Sequence, residues 1–183
     1  MRIIAALAAF VILAQPSRAF AFEDPATGFG IAPAAPFSAE PDRRPPFDVW
    51  AGVKSATGKP EIRGTGKFIC EAGFKAAPEN AKLSRDDINA LVDKPEWMNH
   101  ARTALELAFH IDDQQRFALQ GYRGFEFQGR PKSGPGAEDA RMFLSMVETA
   151  KGRTTMICVT AASGFEAAVA QFREIRATIN LPK

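Results

Sequence analysis

The stretch "GRTTMICVTAASGFEAAVAQFREI" runs from Gly152 to Ile175, and the fold turns on it. Residues Thr154–Ala162 form a β-branched run of strand character. Successive side chains alternate across a strand, so Ile157 and Val159 point one way, Met156 and Cys158 the other. Both faces are apolar, and such a strand needs a layer on each side of its sheet. A small-residue turn and a helix follow. Ser163 with Glu166 makes an S-x-x-E capping box. Phe165, Val169, Phe172, Ile175 and Ile179 mark one helix face, while Glu166, Arg173, Glu174 and Arg176 mark the other.

Working back from this stretch, "RMFLSMVET" (Arg141–Thr149) pairs with Thr154–Ala162 as a hairpin, with Lys151-Gly152 near its turn. Residues Arg116–Leu119 and Tyr122–Gln128 flank a turn at Gln120-Gly121. Phe125 and Phe127 alternate with Gly124, Glu126 and Gln128, the period of a half-buried strand. Residues Arg130–Asp139 are a loop by composition. Before them lies a helical region. Ser84 with Asp87 and Asp93 with Glu96 are capping patterns, and Met98, Ala101, Leu105 and Ala108 define one buried stripe. Asp48–Ala56 and Gly66–Phe74 read as strands. Residues Pro33–Phe47 hold five prolines, which excludes a helix or an internal strand and predicts a proline-rich loop over 33–47. The loop reads either as a recognition arm displaying Arg43 and Arg44 or as a surface connection. Hairpin-length connections and two helical regions give an α+β fold, a largely antiparallel β-sheet flanked by helices in an α/β/α sandwich.

The N-terminus predicts export. Arg2 precedes the apolar run Ile3–Ala14, and Ala19 and Ala21 form a small-x-small pattern, so residues 1–21 read as a signal peptide cleaved after Ala21. The run is shorter than the ~20 residues that span a bilayer. Without Arg2 and Arg18 the remaining chain, a single globular domain over 22–183, has 21 basic and 21 acidic residues. That balance argues against a nucleic-acid partner, and no second apolar segment predicts a transmembrane span in the mature chain.

Cys70 and Cys158 are the only cysteines. In an exported chain they are a candidate structural disulfide, worth roughly 4.5 kcal/mol for so long a loop in the chain-entropy account. The alternative is two buried thiols acting as small hydrophobes. Neither cysteine belongs to a C-x-x-C pair, and no cation adjoins Cys158 to favour a thiolate. His100 and His110 lack metal-ligand spacing. No G-x-S-x-G elbow occurs, and Gly66-Lys67 has Glu61 where a phosphate loop needs glycine. The acidic pairs fall at caps or in loops, and the 15 phenylalanines are core material. No catalytic, cofactor-binding or metal residue is assigned, and no cofactor is expected.

Three segments resemble the PsbP-like family of exported α/β/α sandwich proteins. "GFGIAPAAPF" (Gly28–Phe37) resembles its opening aromatic–proline strand and loop, and "GYRGFEFQGRP" (Gly121–Pro131) its mid-chain strand. "GRTTMICVTAASGFEAAVAQFREIRATINLP" (Gly152–Pro182) resembles its terminal strand, turn and helix. The resemblance implies a non-catalytic accessory or binding role. Photosynthetic members support a metal cluster by docking to a membrane complex, but no matching set of docking or ion-binding residues occurs here. The expectation is a soluble exported, periplasmic protein that binds an envelope protein or a small ligand. Two alternatives stand beside it: an envelope hydrolase or other enzyme with a dispersed active site, and a structural envelope component. A cleft in which Ser, His and Asp/Glu converge near His100 and His110 would decide for the enzyme.

Overall fold

The computed structural model describes residues 21–64 and 66–183, so the segment read as the body of a signal peptide lies outside the described residues. In chain order the elements are β1 (Phe22–Glu23), β2 (Gly30–Ile31), β3 (Phe37–Asp42), β4 (Val49–Ser55) and β5 (Cys70–Ala76). Then come α1 (Arg85–Val92), α2 (Pro95–Leu105), β6 (Phe109–Leu119), β7 (Tyr122–Pro131), β8 (Ala140–Thr149), β9 (Gly152–Ala161), α3 (Phe165–Ala177) and β10 (Ile179–Asn180). The main sheet is antiparallel, in the order β3-β4-β5-β9-β8-β7-β6, and a small sheet has the order β1-β2-β10.

Alternation along β9 sorts the two faces. Thr154, Met156, Cys158 and Thr160 are buried, and between them Thr155, Ile157 and Val159 are half-buried. On the buried face α3 lays down Phe165, Val169, Phe172 and Ile175 beside Phe143, Met156 and Cys158; burying each large apolar side chain contributes about 1.5–3 kcal/mol. On the other face α1 packs chiefly on β7 and β8, and α2 on β6. Ile88 and Val92 meet Phe125, Phe127, Met142 and Leu144 there. The result is an α+β fold with helices on both faces of an antiparallel sheet.

Several expectations need correction. Within the proline-rich loop expected over 33–47, Phe37–Asp42 is a strand, β3, in register with β4 so that Pro41 faces Ala51. β3 is the edge of the sheet, where a residue without an N–H loses no ladder bond. Strand β6 begins at Phe109 rather than Arg116; it is the opposite edge, mostly polar, with an irregularity between Ile111 and Asp113. The Ser163–Glu166 box does not form. Ala162–Gly164 is a 3-10 turn and Gly164 caps α3 without a side-chain bond, so Ser163 stands one residue too early. Asp93 does not cap α2, whose N-cap is Lys94 with Pro95 following. It closes α1 instead and pairs with Arg116 and Arg123. The stripe on α2 is half-buried, with Ala108 exposed beyond the helix end. The Ser84–Asp87 capping box forms in full. At the Gln120-Gly121 turn both residues have positive φ, 51° and 83°, as a two-residue primed hairpin turn requires.

Two long-range locks hold these layers. Cys70 lies directly opposite Cys158 in adjacent strands, their Cα atoms 4.0 Å apart, and the two are joined as a disulfide across 88 positions. That resolves the choice between bridge and free thiols. The second lock is Glu126, which is 2 % exposed. Its Oε1 accepts from Arg173 at 2.6 Å and Gln128 at 3.1 Å, and its Oε2 from Arg176 at 2.7 Å and Arg173 at 3.1 Å. Arg176, assigned to the polar face of α3 from sequence, is largely buried over the ring of Phe117, 3.8 Å from its centroid. Burial pushes the Glu126 carboxyl up, but the bonds from Arg173, Arg176 and Gln128 outweigh it and hold the group below the ordinary glutamate value.

Two outcomes follow from these locks. Replacing both cysteines (Cys70→Ala with Cys158→Ala) will lower unfolding free energy by up to about 4.5 kcal/mol, read by urea denaturation. The denatured, unreduced wild type will show no reactive thiol. For Glu126 the folded carboxyl sits below its unfolded value of about 4.3. Its contribution is therefore complete above that pH and is lost as pH falls through the folded value. Glu126→Gln leaves two cations without their counter-charge and will cost about 3–5 kcal/mol at neutral pH. Urea midpoints measured from neutral to acid pH will show the wild type losing stability below pH ~4 and the variant doing so less steeply.

Candidate functional site

Because α1 and α2 sit toward β6, β7 and β8, the same face over β9 and β5 carries no helix. The register fills it row by row. Trp50 of β4 lies opposite Gly73 of β5, and the absence of a side chain there is required: a Cβ on Gly73 would come within 2.0 Å of the Trp50 ring. Trp50 donates to Glu71 at 3.2 Å and packs against Phe47 with the rings tilted by 45°, centroids 4.4 Å apart. Arg44 covers the Trp50 ring at 5.3 Å and pairs with Glu71 at 3.1 Å. The stretch expected to be a recognition arm or surface connection is therefore tied to the sheet through Arg44, although Arg43 and Arg44 are both exposed.

Between this aromatic rim and the helices lies a cleft of about 850 Å³. Leu144 and Met146 of β8 and Thr155 of β9 form its floor. Ile88, Leu91 and Val92 of α1 and Trp97, Ala101 and Ala104 of α2 form one wall, and Phe47 and Ala77 lie on the other. Trp97 is stacked on Phe125 with centroids 5.4 Å apart.

One row of the floor is ionic. Lys75 of β5 stands opposite Arg153 of β9, and Arg153 stands opposite Glu148 of β8. Glu148 is buried and takes the Arg153 Nε, while the Arg153 guanidinium lies over the Trp97 ring at 5.6 Å. Lys75 pairs with Asp48 at 3.0 Å. A backbone bond from Ala76 and the Lys75 ammonium keep the Asp48 carboxyl below its ordinary value.

The residues weighed from sequence distribute as follows. His100 lines the cleft, as does Glu79; His110 lies exposed on β6. Among the lining residues Thr155 carries the one hydroxyl, and none is serine or cysteine. Cys70 and Cys158 are sealed on the opposite face. Ser163 borders a separate depression of about 240 Å³ with Lys59 and Glu61. Among the described residues no group of three or more His, Cys, Asp or Glu is placed to hold a metal ion. Trp97, Glu148 and Arg153 carry no motif that marks them in the sequence. The hairpin register from Ala150-Lys151 would have placed Glu148 against Arg153, but the approach of Trp97 depends on tertiary packing.

No family model matches the chain, and no curated protein matches it. Solved structures do. The solution structure of cyanobacterial PsbP (CyanoP) from Synechocystis sp. PCC 6803 aligns with a TM-score of 0.55 at 10% identity, covering 96% of this chain and 98% of that one. A Pseudomonas aeruginosa protein of unknown function, PA94, aligns at 0.46 and 6% identity, over 91% of this chain and 99% of its own. At such identities the likeness concerns the fold, as the sequence resemblance implied. The chain has a PsbP-like fold.

Proposed function

We propose that this chain is an exported, non-catalytic binding or accessory protein whose single domain, residues 22–183, works through the cleft between the helices and the open half of the sheet. The cleft itself carries this reading. Its volume falls within the roughly 300–1,000 Å³ of small-molecule sites, and its apolar walls with a few placed polar groups match their usual make-up. The charged groups on its floor are arranged as a cross-strand row, Lys75, Arg153 and Glu148. Export is supported by the leader composition of residues 1–21 together with a disulfide, a bond favoured in oxidising compartments. Among the described residues no helix is long and apolar enough to cross a membrane.

The test uses the neutral fluorophore N-phenyl-1-naphthylamine, which brightens in apolar surroundings. The protein will bind it saturably. Ala104→Trp, which fills space from an exposed helix position, and Leu91→Glu, which charges the wall at a residue 39% exposed, will each weaken binding by about tenfold, equivalent to 1.4 kcal/mol. No saturable rise, or a rise that both variants leave unchanged, overturns the assignment.

A further inference from the structure

We infer that the cleft takes a single-chain amphiphile with a planar oxyanion head, a long-chain carboxylate, with the head at Arg153 and the chain along the apolar walls. This rests on the cleft being the binding site and adds the chemistry of its ligand. Three observations carry it.

First, the register sets two cations side by side: Lys75 and Arg153 are direct cross-strand partners. Like charges in that position repel; Asp48 on Lys75 and Glu148 on Arg153 offset part of that repulsion, and an anion between the two cations offsets more. Second, Arg153 meets Glu148 through Nε alone. Its two terminal nitrogens have no hydrogen-bond partner among the described residues, although the side chain is half exposed toward the cleft. A guanidinium anchored by Nε presents its remaining N–H groups as a fork, and a planar carboxylate matches that fork with two parallel bonds. Third, the acid beside it is the less accessible of the two, with its Oε1 paired to Arg153. The Glu148 side chain is 8% exposed and paired, so an incoming head meets the guanidinium rather than the carboxylate. The other charged or titratable groups facing the cleft are Glu79 and His100, with Asp48 held by Lys75.

From this end the floor turns apolar through Met146 and Leu144, and the walls through Leu91, Trp97 and Ala101. Charge at one end and hydrocarbon surface along the rest match an amphiphile better than a compact polar solute.

Displacement of N-phenyl-1-naphthylamine provides the measurement, with dodecanoate, dodecyltrimethylammonium and dodecanol as competitors below their micelle concentrations. Dodecanoate will displace the probe at about tenfold lower concentration than the cation or the alcohol, the scale of a charge-assisted bidentate pair. Arg153→Gln will erase that advantage, read as the ratio of displacing concentrations of the three competitors measured on the variant itself. Arg153→Lys, which keeps a charge opposite Glu148 but loses the fork, will erase most of it. Lys75→Gln, at a half-exposed position, will reduce it about threefold and serves if either Arg153 variant fails to fold by circular dichroism. Equal displacement by the three competitors, or an advantage for dodecanoate that survives all three substitutions, overturns the head-group assignment while the cleft reading stands. Preference for dodecyltrimethylammonium overturns it in favour of the Trp97 face and Glu148 as a cation site. A protein that does not bind the fluorophore at all removes the cleft reading and this inference with it.

Discussion

Strand β9 is held on one side by β8 through a tight hairpin and on the other by β5 through a covalent bond. The second contact is the one on which the architecture depends. It joins strands 88 residues apart, with both helices of one layer and three strands lying in the loop it closes. A slip of one residue in that pairing would turn every β5 side chain to the opposite face. Cys70, Ala72 and Phe74 would then leave the core beneath α3. The register that puts Cys70 opposite Cys158 also puts Lys75 opposite Arg153. The bond buried on one face thus fixes the charge row on the other.

The two faces are finished by different means. Beneath α3 burial is nearly complete, and the helix is oriented by hydrophobic contact and by the Glu126 cluster. On the opposite face the helices cover only part of the sheet, and Trp50, Phe47 and Phe68 cover part of what remains. Close approach to the backbone makes this possible. Gly73 admits the Trp50 ring, and Gly52 admits Phe68, which would otherwise lie 2.3 Å from a Cβ. The cleft is the unfilled interval between aromatic side chains on one flank and α1–α2 on the other. It arises from the offset of the helical layer.

How much of this was legible in the sequence depended on whether the deciding contact was local. The β8–β9 hairpin, the Gln120-Gly121 turn and the Ser84–Asp87 cap are specified by residues near one another, and all were readable. Ser163 and Glu166 have the same spacing as a cap, but the 3-10 turn at Ala162–Gly164 delays the helix and removes the geometry. Strands β3 and β6 were missed or shortened because edges tolerate proline and two-sided polarity, the features that usually mark loops. Arg176 carries a charge and so read as solvent-facing; its burial depends on Glu126, which comes from another element. The Lys75–Arg153 contact was illegible for the same reason, since only the β5–β9 pairing creates it.

Two buried glutamates, Glu126 and Glu148, make the final distinction. Both carboxylates sit on the sheet and both meet arginine. Glu126 has both oxygens engaged by three side chains, and its cluster lies against α3. Such a group has no capacity left for a ligand, and its role is to position the helix. Glu148 has one ion-pair contact, and its arginine leaves two nitrogens open beside an aromatic face in a cleft. The fold is shared with a protein at 10% identity, so it cannot by itself separate binding from other roles. Hydrogen-bond saturation distinguishes these two clusters: the donors and acceptors of one are used up within the fold, while the other keeps open donors beside the apolar walls of the cleft.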